Sequence, residues 1–279
     1  MRRRRLTIIV SSILASVWSL LPVYYTLIVS FSPEGMIPTK LGLPAQFTLW
    51  NWENVLFGGG MGELTFRADI WPYLRNSVVI ATGVSILTLL ISLPAAYTFS
   101  RYKSRTSKVV LLSLLFFRMI PSITLAIPLY LFMWQLGILG TEPSLIFGHL
   151  VYTVPLSAWL MKGFYDVLPV EIEEAALVDG ASRFRLLAKI VLPLSRPGIA
   201  VSMMFSFLIS YIEYLFAVIL LKSATSTIPV RLAFFISPHM ILWRPLACTA
   251  LLSALPTIVL FLFLQKHLVR GLTFGAVKG

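Results

Sequence analysis

Arg118 and Glu213 are the two formally charged residues that fall inside long apolar stretches of this sequence. Placing either against lipid costs at least ~2.5–3.5 kcal/mol, so both must face protein or water. Two roles suit them. One is an interhelical ion pair that fixes packing; the other is a polar lining for a path through a bilayer, shared with the flanking Tyr211 and Tyr214. At 1.5 Å per helical residue Arg118 lies about 15 Å, and Glu213 about 22 Å, from the same end of their helices, a gap that two long side chains bridge. Other chemistry is thinly provided. One cysteine, Cys248, excludes an intrachain disulfide, and His149, His239 and His267 are too scattered for a metal cage. No G-x-x-x-x-G-K-[ST], G-x-S-x-G or H-E-x-x-H motif occurs. His149, inside an apolar stretch, reads as a hydrogen-bonding partner of a neighbouring helix.

The elements that must hold these residues are membrane helices. The chain has 279 residues, 58% hydrophobic and 12% charged, whereas soluble domains run near a quarter charged. Six apolar stretches, at residues 6–31, 77–100, 109–135, 144–161, 198–221 and 246–265, are each long enough to cross a bilayer as a helix. Pro121, Pro128, Pro155 and Pro256 each remove a backbone bond and are expected to bend their helices. The first stretch follows Arg2, Arg3, Arg4 and Arg5 but is too long for a signal core, so it is expected to remain as an anchor. Alternate connecting segments collect 16 of the 23 Lys and Arg, against six on the other side, which predicts that both termini are cytoplasmic. The net charge of +12 is thereby mostly topology, and nucleic acid is not an expected partner. Trp50, Trp52, Phe57 and Trp71, in the first outward loop, read as headgroup-level anchors. The expected fold is an all-α membrane protein of six transmembrane helices, one domain over residues 1–279, with a patterned cytoplasmic loop at 162–196 between spans four and five.

That loop has local signals of its own. Pro169 suits a first helical turn, and Glu171, Glu173 and Glu174 put negative charge at the positive end of the helix dipole. Asp179-Gly180 supplies a left-handed stop. Ser182 then caps a second amphipathic helix in which Phe184, Leu187 and Val191 share a face, and Pro193 is expected to close it. Such a unit could simply lie on lipid. The pair Ala175-Ala176 argues otherwise, because small side chains open the backbone to another protein and contribute little to lipid binding.

Glu174-Ala175-Ala176, three residues, Gly180, nine residues, Ile190, one residue, then Leu192-Pro193 resembles the E-A-A-x3-G-x9-I-x-L-P signature of permease subunits of binding-protein-dependent ATP-binding-cassette importers. The closing run from Gly271 to Gly279 is similar to the ending of the maltose-transporter type, and Thr227-Ile228-Pro229-Val230 to an outward-loop motif of that carbohydrate branch. Where the branch has W-N-D/E in span five, this chain has Tyr211-Ile212-Glu213, and only the acid is kept. The resemblance implies that Glu174, Ala175, Ala176, Asp179, Gly180, Ser182 and Phe184 dock into an ATPase subunit, with Ile190, Leu192 and Pro193 bracing them. It implies as partners a second permease, two ATPases that bind ATP and Mg, and an extracytoplasmic binding protein. No cofactor is expected on this chain and it is not itself an enzyme. The cargo implied is a sugar or a sugar-like polyol or glycerol phosphate, on whose ring Tyr211 and Tyr214 would stack, carried through a bacterial inner membrane. A self-contained ion- or proton-coupled carrier, with Glu213, Arg118 and His149 as its relay, is the competing reading. It leaves the patterned loop unexplained.

Overall fold

In hydrocarbon a backbone satisfies its own polar groups as a helix or a closed barrel; long unalternating apolar runs suit the helix, and helices account for nearly all the regular structure found among the described residues. The computed structural model describes residues 2–33, 42, 46–58, 69–238 and 240–274, with side chains from residue 4 to residue 266 of these. Lys40, Arg67, His239 and residues 275–279 of the carboxyl-terminal run lie outside the described residues. In chain order the helices are α1 (Arg2–Ser30), α2 (Trp50–Phe57), α3 (Trp71–Arg101), α4 (Arg105–Arg118), α5 (Ser122–Gln135), α6 (Glu142–Asp166) and α7 (Val170–Val178). There follow α8 (Arg183–Leu186), α9 (Leu192–Leu194), α10 (Arg196–Tyr211), α11 (Leu215–Leu220), α12 (Ile228–Phe234) and α13 (Trp243–Phe274). By length and composition four of them can cross a membrane, or up to six spans form if two bent pairs each count as one.

The bends are where structure and hydropathy part. The third apolar stretch is two helices, α4 and α5, turned by 98°. Pro121 stands at that break: it has no N–H to continue α4, and it drives the preceding residue away from helical geometry. Pro128, Pro155 and Pro256 sit inside continuous helices, as do Pro22 and Pro94. The fifth stretch is interrupted between α10 and α11, with Glu213 in the gap. Pro193 does not close the second loop helix. The chain runs from α8 through a π-helical turn, Leu187–Val191, into α9, where Pro193 sits at the start, a position that needs no N–H donor. The turn comes at Ser195, with an 80° bend into α10.

Two compact units can be distinguished. One comprises Met1–Leu74 and Arg231–Leu255. In it the end of α1 is pinned by polar contacts: Asn51 Nδ2 donates to the carbonyls of Ser30 and Ser32, each at 3.0 Å, and Trp52 Nε1 to Ser30 Oγ at 3.2 Å. Trp71 Nε1 donates to the Leu56 carbonyl at 2.9 Å, and Arg231 is buried among the rings of Tyr73, Phe234 and Phe235. The large apolar side chains of α1 from Leu6 to Leu27 are exposed.

The other unit comprises Arg75–Val230 and Pro256–Gly279. Its helices α3, α6 and α10 are joined by hydroxyl rungs: Thr88 to Thr153 at 2.7 Å, Ser92 to Ser157 at 2.5 Å, and Ser157 onward to Ser202. Such interhelical bonds suit a medium without water. Gly198 lets α10 close on α6, since a Cβ there would stand 2.5 Å from the Phe164 ring. Apolar packing gathers around Phe216, Leu145, Met133 and Ile80, and a second cluster forms from Ala96, Met161, Tyr165, Ala176, Leu186 and Val191.

Candidate functional site

The loop between α6 and α10 folds as its local chemistry dictates. Pro169 precedes α7 with φ −58° and ψ 127°, and Glu171 and Glu173 occupy the first turn. The stop is a Schellman arrangement: the Ala181 amide donates to the Ala176 carbonyl at 3.0 Å and the Gly180 amide to Leu177 at 3.1 Å, with Gly180 at φ +82°. Ser182 Oγ then accepts from the Arg185 amide at 3.3 Å, capping α8. Glu174, Ala175, Asp179, Gly180, Ser182 and Phe184 are all exposed around this elbow. Val178 is 87% exposed and Phe184 81%, so the elbow presents apolar side chains with no covering in this chain. Ala176 points the other way, packed with Ala96, Tyr165 and Leu186. Ile190 packs on that same cluster, and Leu192 and Pro193 are half-buried.

The inward side of α7 holds a group that sequence reasoning missed. Glu173, not Glu174, is the buried acid. Arg101, at the end of α3, reaches Glu173 Oε1 through Nε at 2.9 Å and through a terminal nitrogen at 2.5 Å. The same guanidinium donates to the carbonyl of Tyr165 at 2.9 Å and to Ser100 Oγ at 3.0 Å. Tyr97 Oη donates to Glu173 Oε2 at 2.6 Å. Asp166, nearby, is occupied by Ser100 at 2.7 Å and Lys162 at 2.6 Å. A signal existed in the spacing: Tyr97 and Arg101 are four apart on one helix, and Glu173 and Ala176 three apart on another, so each pair shares a face.

Glu213 is held in the gap before α11. Its carboxylate accepts from the Phe216 amide at 2.9 Å and the Ala217 amide at 3.2 Å, and lies 3.3 Å from His149 Nε2. His149 Nδ1 meets Ser210 Oγ at 2.8 Å. An ionised carboxylate only accepts, so Nε2 carries the hydrogen toward Glu213. His149 thus bonds the neighbouring helix, as its place in the sequence predicts. A cavity of about 550 Å³ is lined by Arg118, Ser122, Tyr152 and Glu213, so the two interior charges do meet at one opening. They form no ion pair: the partner of Glu213 is His149, and its oxygens are already engaged by amides. Tyr211 is buried and stacked on Phe207, with ring centroids 5.4 Å apart, and Tyr214 is exposed; neither lines that cavity.

Comparison with known proteins bears on both regions. Residues 88–274 match the family described as the binding-protein-dependent transport system inner membrane component. The trehalose/maltose transport system permease protein MalG of Thermococcus litoralis is 34% identical, over 99% of this chain and 98% of its own length. The maltodextrin transport system permease protein MdxG of Bacillus subtilis is 39% identical over 74% of this chain and 75% of its own. Among solved structures, a bacterial ABC transporter involved in the import of the acidic polysaccharide alginate has a chain of the same fold, with a TM-score of 0.75 at 20% identity, covering 96% of this chain and 98% of that one. The loop signature, the helical architecture and a match over two thirds of the sequence agree, and the chain belongs to the inner membrane components of binding-protein-dependent transport systems.

Proposed function

We propose that this chain is the permease subunit of an ATP-binding-cassette importer, one half of a membrane channel for a sugar or a sugar-like solute such as a polyol or glycerol phosphate. Its relatives named for trehalose, maltose and maltodextrin transport support the cargo class. A second permease completes the channel, an extracytoplasmic binding protein delivers the solute, and two ATPase subunits supply the hydrolysis of ATP with Mg. The chain resides in the cell inner membrane with both termini in the cytoplasm, which puts the elbow of α7 and α8 on the ATPase side.

The observation that carries this reading is that elbow. Val178 and Phe184 stand exposed beside Ala175 and Gly180, on the side of α7 opposite to buried Ala176 and Glu173. Apolar side chains on a water-facing turn imply a protein partner. Closure of the ATPase dimer on ATP would draw two such elbows together and turn the bundle from inward-open to outward-open; hydrolysis would reset it. Arg118, Ser122 and Glu213, around their cavity, are the polar groups along the solute's route.

Purification of the tagged chain from cells expressing the whole operon, followed by reconstitution, tests this. The ATPase subunit should copurify, and vesicles should take up solute only with ATP and the binding protein. Gly180→Val should insert normally yet lose both ATPase and uptake. Solute accumulation by vesicles holding this polypeptide alone, without nucleotide, would overturn the reading in favour of a self-contained carrier.

A further inference from the structure

We propose that Arg101, Glu173 and Tyr97 form the joint through which displacement of α7 reaches the ends of α3 and α6. They are positioning residues for transport that touch neither solute nor nucleotide. The inference rests on the docking reading of the elbow.

α7 has nine residues, and of these only Glu173 and Ala176 are buried. Ala176 offers a smooth methyl contact that resists compression but not sliding. Glu173 offers directional bonds, and all of them lead to Arg101 and Tyr97. The guanidinium meets four groups: the acid on α7, the Tyr165 carbonyl at the end of α6, the Leu168 carbonyl in the connection between α6 and α7, and Ser100 on α3. A planar fork with five donors holds fixed angles to all of them, which a lysine cannot do. Three elements are therefore bolted at one point. The bolt continues upward, because α3 and α6 are tied to each other by the Ser92–Ser157 and Thr88–Thr153 rungs.

Stability alone does not call for this arrangement. The Arg101 and Glu173 side chains are 13% and 7% exposed, and a buried ion pair is often matched or bettered in stability by apolar residues of similar volume. What apolar residues lack is directional attachment. By contrast, the bond that ties α8 to the region, Arg183 to Tyr102 Oη at 2.6 Å, is exposed to water and exchangeable.

The experiment uses the complete transporter in vesicles and records solute taken up per ATP hydrolysed. The double variant Arg101→Met with Glu173→Met, which leaves no charge unpaired, should assemble with the ATPases and hydrolyse ATP. Its uptake per ATP should fall about fivefold or more, the lower end of coupling between distant sites. Arg101→Lys, which retains the charge without the fork, should fall between the two. Unchanged uptake per ATP in the double variant overturns the joint, as does loss of ATPase copurification from it. Should the double variant not accumulate in the membrane, Arg101→Lys and Tyr97→Phe decide, and a normal ratio in both overturns the proposal. Gly180→Val separates the two levels: retained ATPase there refutes the docking reading itself, whereas a normal ratio in the double variant beside a lost ATPase in Gly180→Val refutes only the joint.

Discussion

Glu213 shows how an acid is kept inside an apolar bundle by donors from its own gap and from one neighbouring helix. Two amides at the start of α11 and one imidazole N–H take its oxygens. Replacing His149 by Leu removes a donor to Glu213 and also strands Ser210, so His149→Leu should lower stability by ~1–3 kcal/mol. Glu213→Gln, which keeps an acceptor for the amides, should lose less. Thermal unfolding in detergent ranks the two; a larger loss for Glu213→Gln would show that the carboxylate charge, not its acceptor geometry, holds the gap. At Gly180 the surroundings are open, with nothing within 4 Å of an added Cβ, so the constraint is φ +82° alone. Asn enters that region far more readily than Val. Gly180→Asn should therefore retain most uptake where Gly180→Val does not, and equal loss in both would mean that side-chain bulk at the docking surface matters instead.

Three helix boundaries in the loop were legible because their causes are local: Pro169 before α7, Gly180 after it, and Ser182 at the next cap act within a few residues, whereas the stop expected at Pro193 comes at Ser195. Two things were not legible. Hydropathy measures how apolar a window is and is blind to its direction, so the 98° turn between α4 and α5 left no trace beyond one of several prolines. Which of Glu171, Glu173 and Glu174 would be buried depends on the rotation of α7 against α3, a relation between residues about 70 apart in sequence. Tyr211 failed to join the cavity for the same reason: its phase on α10 points it to Phe207 and Ala81. Close packing of α6 on α10 rests on one missing methyl. Gly198→Leu should cost ~1–3 kcal/mol through overpacking against Phe164. Phe164→Ala should recover much of it in a double-variant cycle measured by unfolding; independent effects would place the strain elsewhere.

At the scale of the whole molecule, the charge asymmetry predicts that reporters fused to either end of the chain read out as cytoplasmic. A periplasmic signal from one end would remove the elbow from the ATPase side. Between the ends, helices α3, α6 and α10 of the second unit are fastened by Thr88, Ser92, Thr153, Ser157 and Ser202, all buried, beside their apolar packing. On both α3 and α6 the paired hydroxyls recur four residues apart. A rack whose teeth are alike can engage its neighbour one notch over: were α3 to slip by four residues, about 6 Å, Ser92 would stand opposite Thr153 where Thr88 had been. The rungs thus set a spacing without choosing a register, and the choice falls to the helix ends, where Arg101 and Ser100 engage Tyr165 and Asp166, and to Gly83, against which Ile146 of α6 is lodged.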